Sequence, residues 1–324
     1  MPTRKEVFAR LHASQKLPTP SRTAMEIIRL CNNPDTSLND IANVIQTDPA
    51  LSAELLKYAN AAFLATGIQV ASLQKATIKL GMRTVVNLAL GLSLLADNKA
   101  GKCPTFNYDQ FWSVSLLQAI TAKAIAGHGR EFDPEEVFIC ALLSHMGQLA
   151  LASLFPKEYG DLLVEHGFRS TGERDATGGD DIQPNSPSNE LRKALEMKNF
   201  AISSSELTVE LFLDWGLPAQ YALAAGFHDD LNYAELGRGR TQNLAELLNL
   251  SHSLAYFCHL TNPTAAELQE LSERSSNFNI LPVDFANFFD TIVHQWHEWG
   301  QVFHIHTKPC PLYAAIISAP PEQS

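Results

Sequence analysis

The chain of 324 residues is long enough for one large or two modest domains, and 45% of its residues are hydrophobic, which is ample for a core. Its formal net charge of −11 opposes phosphate backbones, and no run rich in Lys or Arg is visible, so we expect no direct nucleic-acid binding. The five cysteines form no CxxC pair and the N-terminus is charged. We therefore expect a cytoplasmic protein with reduced thiols rather than an exported one.

The first third of the chain has the apolar spacing of amphipathic helices and no alternation typical of strands. One start is especially clear, because Asp48 can cap free backbone N–H groups while Pro49 occupies the first helical position. The predicted helices are, in order, 4–11, 21–31, 38–45, one from Pro49, 73–80 and one from about Met82. We expect residues 10–96 to form a helical bundle.

Several motifs in this bundle resemble those of one known domain. They are Leu17-Pro18-Thr19-Pro20, Asp48-Pro49-Ala50-Leu51, Ala59-Asn60-Ala61 with Phe63, Leu80-Gly81 and, further on, Trp215-Gly216-Leu217-Pro218. In this order they are similar to the HDOD domain, a bacterial signalling module related to HD-type metal phosphohydrolases. The resemblance implies an all-α, HD-like fold and a regulatory role without catalysis.

The second half of the chain is also predicted to be helical. A polar stretch at 97–108 is followed by a helix at 111–126 and a long helix at 133–154. Its apolar part is long enough to suggest a membrane span, but His145 and Gln148 would lie unpaired in lipid near its middle. A buried core helix is favoured, and no membrane association is expected.

The remaining segments complete this prediction. Residues 170–189 are polar and rich in Gly, Asp and Ser, so they are predicted to be a mobile insertion. Capping boxes that begin at Ser203 and Thr264 predict further helices, and an aromatic-rich amphipathic helix is predicted at 284–302. The expected organisation is an HDOD domain at 1–215, with the bundle and an HD-like half at 108–215, and a C-terminal helical region at 216–324 that completes or extends that half.

An HD phosphohydrolase needs a His, an adjacent His-Asp pair and a later Asp, which together hold a divalent metal that activates water. The resemblance places these positions at Val114, at Ser144 and His145, and at Ser251 or His252. Valine has no ligand atom, and the carboxylate of the pair is absent. A shift of one residue turns a helical side chain by about 100°, so His145 is not expected to substitute. We predict a degenerate site with no metal, no cofactor and no catalytic residue.

Other histidines offer weaker candidates. His294 and His297 have the i, i+3 spacing that can direct two imidazoles to one metal, but no acidic or cysteine partner is evident, so side chains on an amphipathic helix are favoured. The segment His228-Asp229-Asp230 contains the letters of the pair but follows the Trp215 turn, and we interpret it as a helix end entering a polar loop. Gln148 stands where catalytic HD proteins often have a lysine.

The leading hypothesis is a bacterial signalling module that acts by binding a partner protein or a regulatory ligand. The alternatives are a divergent metal-dependent HD phosphohydrolase acting on a nucleotide or cyclic dinucleotide, and a nucleotide-binding sensor without turnover. Asn60 is interpreted as a structural residue that bonds nearby backbone. A partner surface is hypothesised at positions that helical phase places away from the apolar stripes, with a solvated face the equal alternative: Lys57, Lys75, Lys79 and Arg83.

Overall fold

A computed structural model describes residues 4–14, 16–31, 35–62, 70–166, 187–229, 236 and 239–318. Within these ranges every regular element is a helix, which confirms the all-α fold. The helices are α1 Arg4–Ala13, α2 Arg22–Cys31, α3 Leu38–Gln46, α4 Pro49–Ala62, α5 Leu73–Leu80, α6 Met82–Asp97, α7 Tyr108–His128, α8 Pro134–Leu143, α9 Met146–Leu154, α10 Pro156–Glu165, α11 Pro187–Phe200, α12 Ser204–Asp214, α13 Ala219–Phe227, α14 Arg240–Phe257, α15 Ala265–Ser275, α16 Pro282–Phe303 and α17 Tyr313–Ile317.

Side-chain caps begin several helices of the N-terminal bundle, α1–α6, among them α3, α4 and α5. Asp48 accepts the N–H of Leu51 at 3.0 Å, which confirms the predicted start of α4. Asn60, near the end of α4, donates to the carbonyl of Val70 at 3.1 Å and accepts its N–H at 2.8 Å. It also donates to the carbonyl of Leu56 at 2.9 Å, so its structural interpretation is confirmed. Asn60 thereby holds the chain entering α5 against the end of α4.

The second half is built around α7, most of whose side chains are buried. It packs against α8, α14 and α16, while α12 packs against α9 and α13. Helix α16 also reaches α4, where the rings of Tyr58 and Trp299 meet edge to face with centroids 4.7 Å apart. The division at residue 215 stays a prediction, and α13 and α14 beyond it pack directly on α12 and α7.

The long helix predicted at 133–154 is interrupted, and that prediction is wrong in this respect. Helix α8 ends at Leu143, α9 begins at Met146, and Ser144 and His145 lie in the turn between them. Gly147 allows α9 to pack closely on α12, because a Cβ there would lie 1.8 Å from the carbonyl oxygen of Ser204.

The apolar stretch from Pro134 to Leu154 lies inside the protein. It is long and apolar enough by composition to cross a membrane, yet 89% of its most apolar window is buried inside the described fold. This is the burial of a core helix. Of the insertion predicted at 170–189, only the end is described, where α11 begins at Pro187, and the rest lies outside the described residues.

Candidate functional site

Four side chains meet in a cleft between the α8–α9 turn and the helices α13 and α14: His145, His228, Asp229 and His252. Their potential ligand atoms all lie within 4.8 Å of one another. Asp229 is central, because its Oδ1 lies 3.1 Å from Nδ1 of His252 and 3.3 Å from Nε2 of His228. The rings of His145 and His252 are 4.3 Å apart between centroids. Among the described residues, this is the one group of three or more such side chains close enough to share an ion.

The backbone determines which nitrogen of His228 faces the cleft. Its Nδ1 lies 2.7 Å from the carbonyl oxygen of Ala225, which accepts only from Nδ1–H. The neutral ring therefore turns the lone pair of Nε2 toward the carboxylate of Asp229. This nitrogen is buried and makes no hydrogen bond within the described structure. A lone pair facing a carboxylate at 3.3 Å is unfavourable unless a positive charge lies between or beside them.

Burial keeps the imidazoles of His145 and His228 neutral. The pKa of His145 is held well below its ordinary value, first by desolvation and then by the neighbouring His252. Desolvation likewise lowers the pKa of His228, against the opposing effect of Asp229. Neutral imidazoles are the form that binds metal ions, so both rings are ready to act as ligands at neutral pH.

The carboxyl of Asp229 is ionised. Burial alone acts to raise its pKa, but the hydrogen-bonded contact with Nδ1 of His252 and the other charges of the cleft outweigh burial and hold the pKa well below its ordinary value. The cleft therefore combines one buried negative charge with three imidazoles. These are residue types that ligate divalent transition metals in proteins.

The positions that the HD resemblance assigns to metal ligands do not fit a metal as a set. Val114 lines the cleft but has no donor atom. The hydroxyl of Ser144 donates to the carbonyl of Ala141 at 2.9 Å, so it is engaged within its own turn. Ser251 is fully buried and donates to the carbonyl of Leu248, which leaves His252 as the residue of that pair that reaches the cleft.

Two expectations about histidines require correction. His145 was not expected to substitute, on the argument that a continuous helix would turn it away, but the interruption at Ser144 and His145 removes that premise and the ring joins the cluster. The interpretation of His228-Asp229 as a helix end was right about the end of α13, but it did not anticipate that the pair is buried. Both side chains are buried in the cleft, while Asp230 lies outside the described residues.

The weaker candidate pair on α16 does not converge on one point. His294 is exposed and lies 3.2 Å from the carboxylate of Glu298, one turn along the helix. His297 contacts the hydroxyl of Thr307 at 2.9 Å. Neither belongs to the cluster in the cleft.

Contacts outside the cluster hold its members in place. Thr208 on α12 accepts the N–H of Gly147 at 2.9 Å, which fixes the turn that carries His145. Asn249 on α14 donates to the carbonyl of His228 at 2.8 Å and accepts from Arg274 at 2.7 Å. The cluster is thus built on helix ends braced by neighbouring helices, the rigid support that a binding site requires.

A cavity of about 90 Å³ opens in front of the cluster. His145 and His252 lie on its wall together with Val114, Gln148 and Arg192. Arg192 is nearly buried and lies 3.8 Å from Glu196, a buried carboxyl whose pKa is raised by desolvation although Arg192 opposes the shift. One water needs roughly 10–15 Å³ by the same measure, so the cavity has room for a few waters or a small ion.

Sequence reasoning missed His228 and Asp229 because nothing local marks their burial. The available signal was weak: a His-Asp pair closing an alanine-rich apolar helix, followed by a second apolar helix that carries His252. Apolar surroundings on both helices are the one hint that these polar side chains lie inside.

Comparison with known proteins places this chain in a family. The profile of the HDOD domain matches residues 17–177, and the chain belongs to the HDOD family. The MmoQ response regulator of Methylococcus capsulatus is 30% identical, over 85% of this chain and 98% of that one, with a TM-score of 0.48. An uncharacterized protein of Treponema pallidum is 28% identical over 137 residues, which are 41% of this chain and only 26% of that protein.

Two solved structures share the fold at lower identity. An HDOD domain protein of unknown function from Geobacter sulfurreducens has a TM-score of 0.62 at 19% identity, covering 92% of this chain and 95% of that one. A provisionally named phosphohydrolase from Shewanella amazonensis has a TM-score of 0.64 at 20% identity, covering 92% and 97%. At these identities the likeness concerns the helical HD-like fold.

Proposed function

We propose that this protein is a regulatory HDOD module whose cleft binds a ligand and does not hydrolyse phosphoesters. Membership of the HDOD family supports a regulatory role. The observation that carries the absence of turnover is the state of two positions that the HD resemblance assigns to ligands. Val114 has no donor atom, and the Ser144 hydroxyl is bonded to the carbonyl of Ala141.

The chemistry of phosphoester hydrolysis needs more than a bound ion. A metal must keep an open position for water, and a proton donor must assist the leaving group. The cleft residue in the place of the lysine of catalytic relatives is Gln148, whose neutral amide lies 3.3 Å from Nδ1 of His145. An amide cannot act as a general acid at neutral pH, so this side chain supports orientation of His145 instead.

The size of the cavity bears on the nucleotide hypotheses. At about 90 Å³, the space in front of the cluster is smaller than the roughly 300–1,000 Å³ of typical organic-ligand pockets. We therefore favour an ion or a similarly small ligand over a whole nucleotide inside the cavity.

Turnover is the direct test of this proposal. The protein is loaded with Mn²⁺ or Zn²⁺ and incubated with nucleotide monoesters and diesters, including cyclic di-GMP. We expect no hydrolysis above a blank. Hydrolysis that disappears both on chelation and in His252→Ala, and persists in the exposed control His294→Ala, would overturn the proposal and favour the phosphohydrolase alternative.

We also propose that the protein exerts its regulatory effect by binding a partner protein through the N-terminal bundle. Lys57 on α4 and Lys75 and Lys79 on α5 are exposed, and the side chain of Arg83 lies outside the described residues. Lys57 lies 3.0 Å from Glu54, an exposed i, i+3 pair worth little to stability. Reversing the charge of Lys57 is therefore expected to cost little stability.

Charge reversal separates a partner surface from an ordinary solvated face. The triple variant Lys57→Glu, Lys75→Glu, Lys79→Glu is compared with Lys5→Glu, Lys102→Glu, Lys198→Glu, which reverses three other exposed lysines. We expect both to melt with the parent, and only the first to lose the proteins captured by the parent from native lysate. Equal capture by the two variants would contradict the proposed surface.

A further inference from the structure

We propose that His145, His228, Asp229 and His252 form a closed centre that binds one divalent transition-metal ion of the Zn²⁺ class. The inference rests on the proposed function, since it treats the cleft as a binding site rather than a catalytic one. Two of its ligands, His145 and His252, stand at positions that the HD resemblance assigns to the inherited set, whereas His228 and Asp229 lie outside that set. The other inherited positions include Val114 and Ser144, which contribute no ligand.

The spacing of the donors already matches such a centre. Zinc binds nitrogen and oxygen at roughly 2.0–2.1 Å, and a tetrahedron of that size has edges of about 3.3 Å between donors. Asp229 Oδ1 lies 3.1 Å from Nδ1 of His252 and 3.3 Å from Nε2 of His228. The remaining donor distances are at most 4.8 Å, which exceeds the tetrahedral edge by about 1.5 Å, so small side-chain movements complete the set.

Two buried nitrogens independently point to a ligand. Nε2 of His228 and Nε2 of His145 are both buried without a hydrogen-bond partner in the described structure. Such groups are costly to leave unsatisfied. The Nδ1 of His228 is committed to Ala225, and the Nδ1 of His145 lies against the Gln148 amide, whose two ends are interchangeable. This arrangement directs both Nε2 atoms inward, and outer partners of this kind orient metal-bound histidines.

The donor set selects the class of metal. Three imidazoles and one carboxylate suit Zn²⁺ and neighbouring first-row ions, whereas Mg²⁺ and Ca²⁺ prefer six or more oxygen ligands. Four protein ligands fill a tetrahedral zinc site and leave no position for a reactive water, as in structural rather than catalytic zinc centres. The centre therefore agrees with the absence of turnover proposed above.

The ligands come from three places in the fold. His145 lies in the α8–α9 turn, His228 and Asp229 follow α13, and His252 is on α14. A shared ion cross-links these elements, so its occupancy stabilises the folded cleft. The free energy of binding adds to the stability of the fold, because the unfolded chain does not hold these four groups together.

The test uses the full chain, stripped with a chelator and then titrated with Zn²⁺ or Co²⁺. Metal content after dialysis is measured by mass spectrometry, the melting temperature with and without metal by calorimetry, and the Co²⁺ site by visible absorption. We expect one ion per chain, a higher melting temperature on loading, and an intense tetrahedral Co²⁺ band.

Conservative variants locate the ligands. In Asp229→Asn and His252→Gln we expect affinity to fall by more than the 10–100-fold typical of a lost outer partner, and the stabilisation by metal to vanish. The matched control is His259→Gln, a buried histidine that follows α14 and lies outside the cluster. It should bind one ion with the affinity of the parent.

The outcomes separate this inference from the proposed function. Folded parent protein that takes up no ion, or a control that loses metal as readily as the ligand variants, overturns the metal centre and leaves the proposed function standing. One bound ion with phosphoester turnover overturns the proposed function and also the closed coordination of the centre, because hydrolysis needs an open position on the metal. If a ligand variant fails to fold, the metal stoichiometry and the Co²⁺ spectrum of the parent protein still test whether the metal centre exists.

Discussion

The N-terminal bundle and the cleft half are both helical, but they are organised over different distances along the chain. In the bundle, the contacts that define elements join near neighbours: Asp48 caps an N–H three residues on, and Asn60 bonds Val70 ten residues on. In the cleft, Gly147 meets Thr208 across 61 residues, and Asp229 meets His252 across 23. The helix starts and turns of the bundle are thus specified locally, whereas the cleft exists only when distant helices have packed.

This difference implies distinct responses to substitution. A change in a local cap removes a few hydrogen bonds and leaves neighbouring helices packed. A change at a close approach in the cleft displaces a helix and, with it, the donors that the helix carries. The predictions below test this contrast, beginning with the largest effect.

The largest effect is expected at the contact between α9 and α12. Gly147→Ala places a Cβ 1.8 Å from the carbonyl oxygen of Ser204, which is backbone and cannot move aside cheaply. We expect a loss of about 3 kcal/mol or more in the free energy of unfolding, measured by urea denaturation. His145 belongs to the same turn, so metal uptake should fall as well.

The matched control is Gly127→Ala on α7, where an added Cβ meets nothing within 4 Å. Since alanine is the better helix former, this variant should equal the parent or gain up to about 1 kcal/mol. Equal stability of the two variants would show that the α9–α12 approach does not constrain the cleft.

The second effect is a pH dependence in the same half of the molecule. Burial lowers the pKa of His259 to about 4, while its Nδ1–H donates to the carbonyl of Ala255. Between this value and the ordinary 6.5 the unfolded chain binds the extra proton, so stability is present above pH 6.5 and is lost as the pH falls toward 4. We expect this residue to account for a loss of about 3 kcal/mol in metal-free protein.

Urea denaturation at a series of pH values measures this effect. The parent and His259→Gln are compared with chelator present, because His145 and His228 also have lowered pKa values and act in the same direction. The variant should show a shallower decline in stability on acidification. Parallel curves for the two proteins would exclude His259 as a source of the decline.

The smallest effect is predicted in the bundle. Asn60→Ala leaves the N–H and carbonyl of the buried Val70 without their partner, at a cost of about 2 kcal/mol in the free energy of unfolding. Metal uptake should be unchanged, because the cleft lies in the other half. Asn39→Ala, at an exposed position on α3, serves as the control and should remain within about 0.5 kcal/mol of the parent. Loss of metal in Asn60→Ala would break the contrast between the two regions.

The features that were predicted well from the sequence are those that depend on contacts within one helical turn. Asp48, the Ser203–Glu206 capping box and the Thr264–Glu267 capping box each define a helix start through contacts three residues long, and all three are confirmed. The all-α class followed from the same apolar periodicity.

The cleft could not be predicted in this way. The close approach of Gly147 to Ser204, next to the interruption at Ser144 and His145, is a contact between distant residues that no local pattern records. The inward orientation of His228 depends on bonds to Ala225 and from Asn249 that form only in the packed structure. Comparing the sequence with the HD ligand pattern position by position identified the missing ligands at Val114 and Ser144. It did not identify His228 and Asp229, whose side chains pack into the same cleft.

Anomalous diffraction from crystals of the zinc-loaded protein, recorded on both sides of the zinc absorption edge, tests the central claim most directly. We expect one peak, within bonding distance of His145, His228, Asp229 and His252. A fully loaded crystal with no peak in the cleft, or with two adjacent peaks of the kind that supports two-metal phosphoester hydrolysis, would contradict the closed single-ion centre.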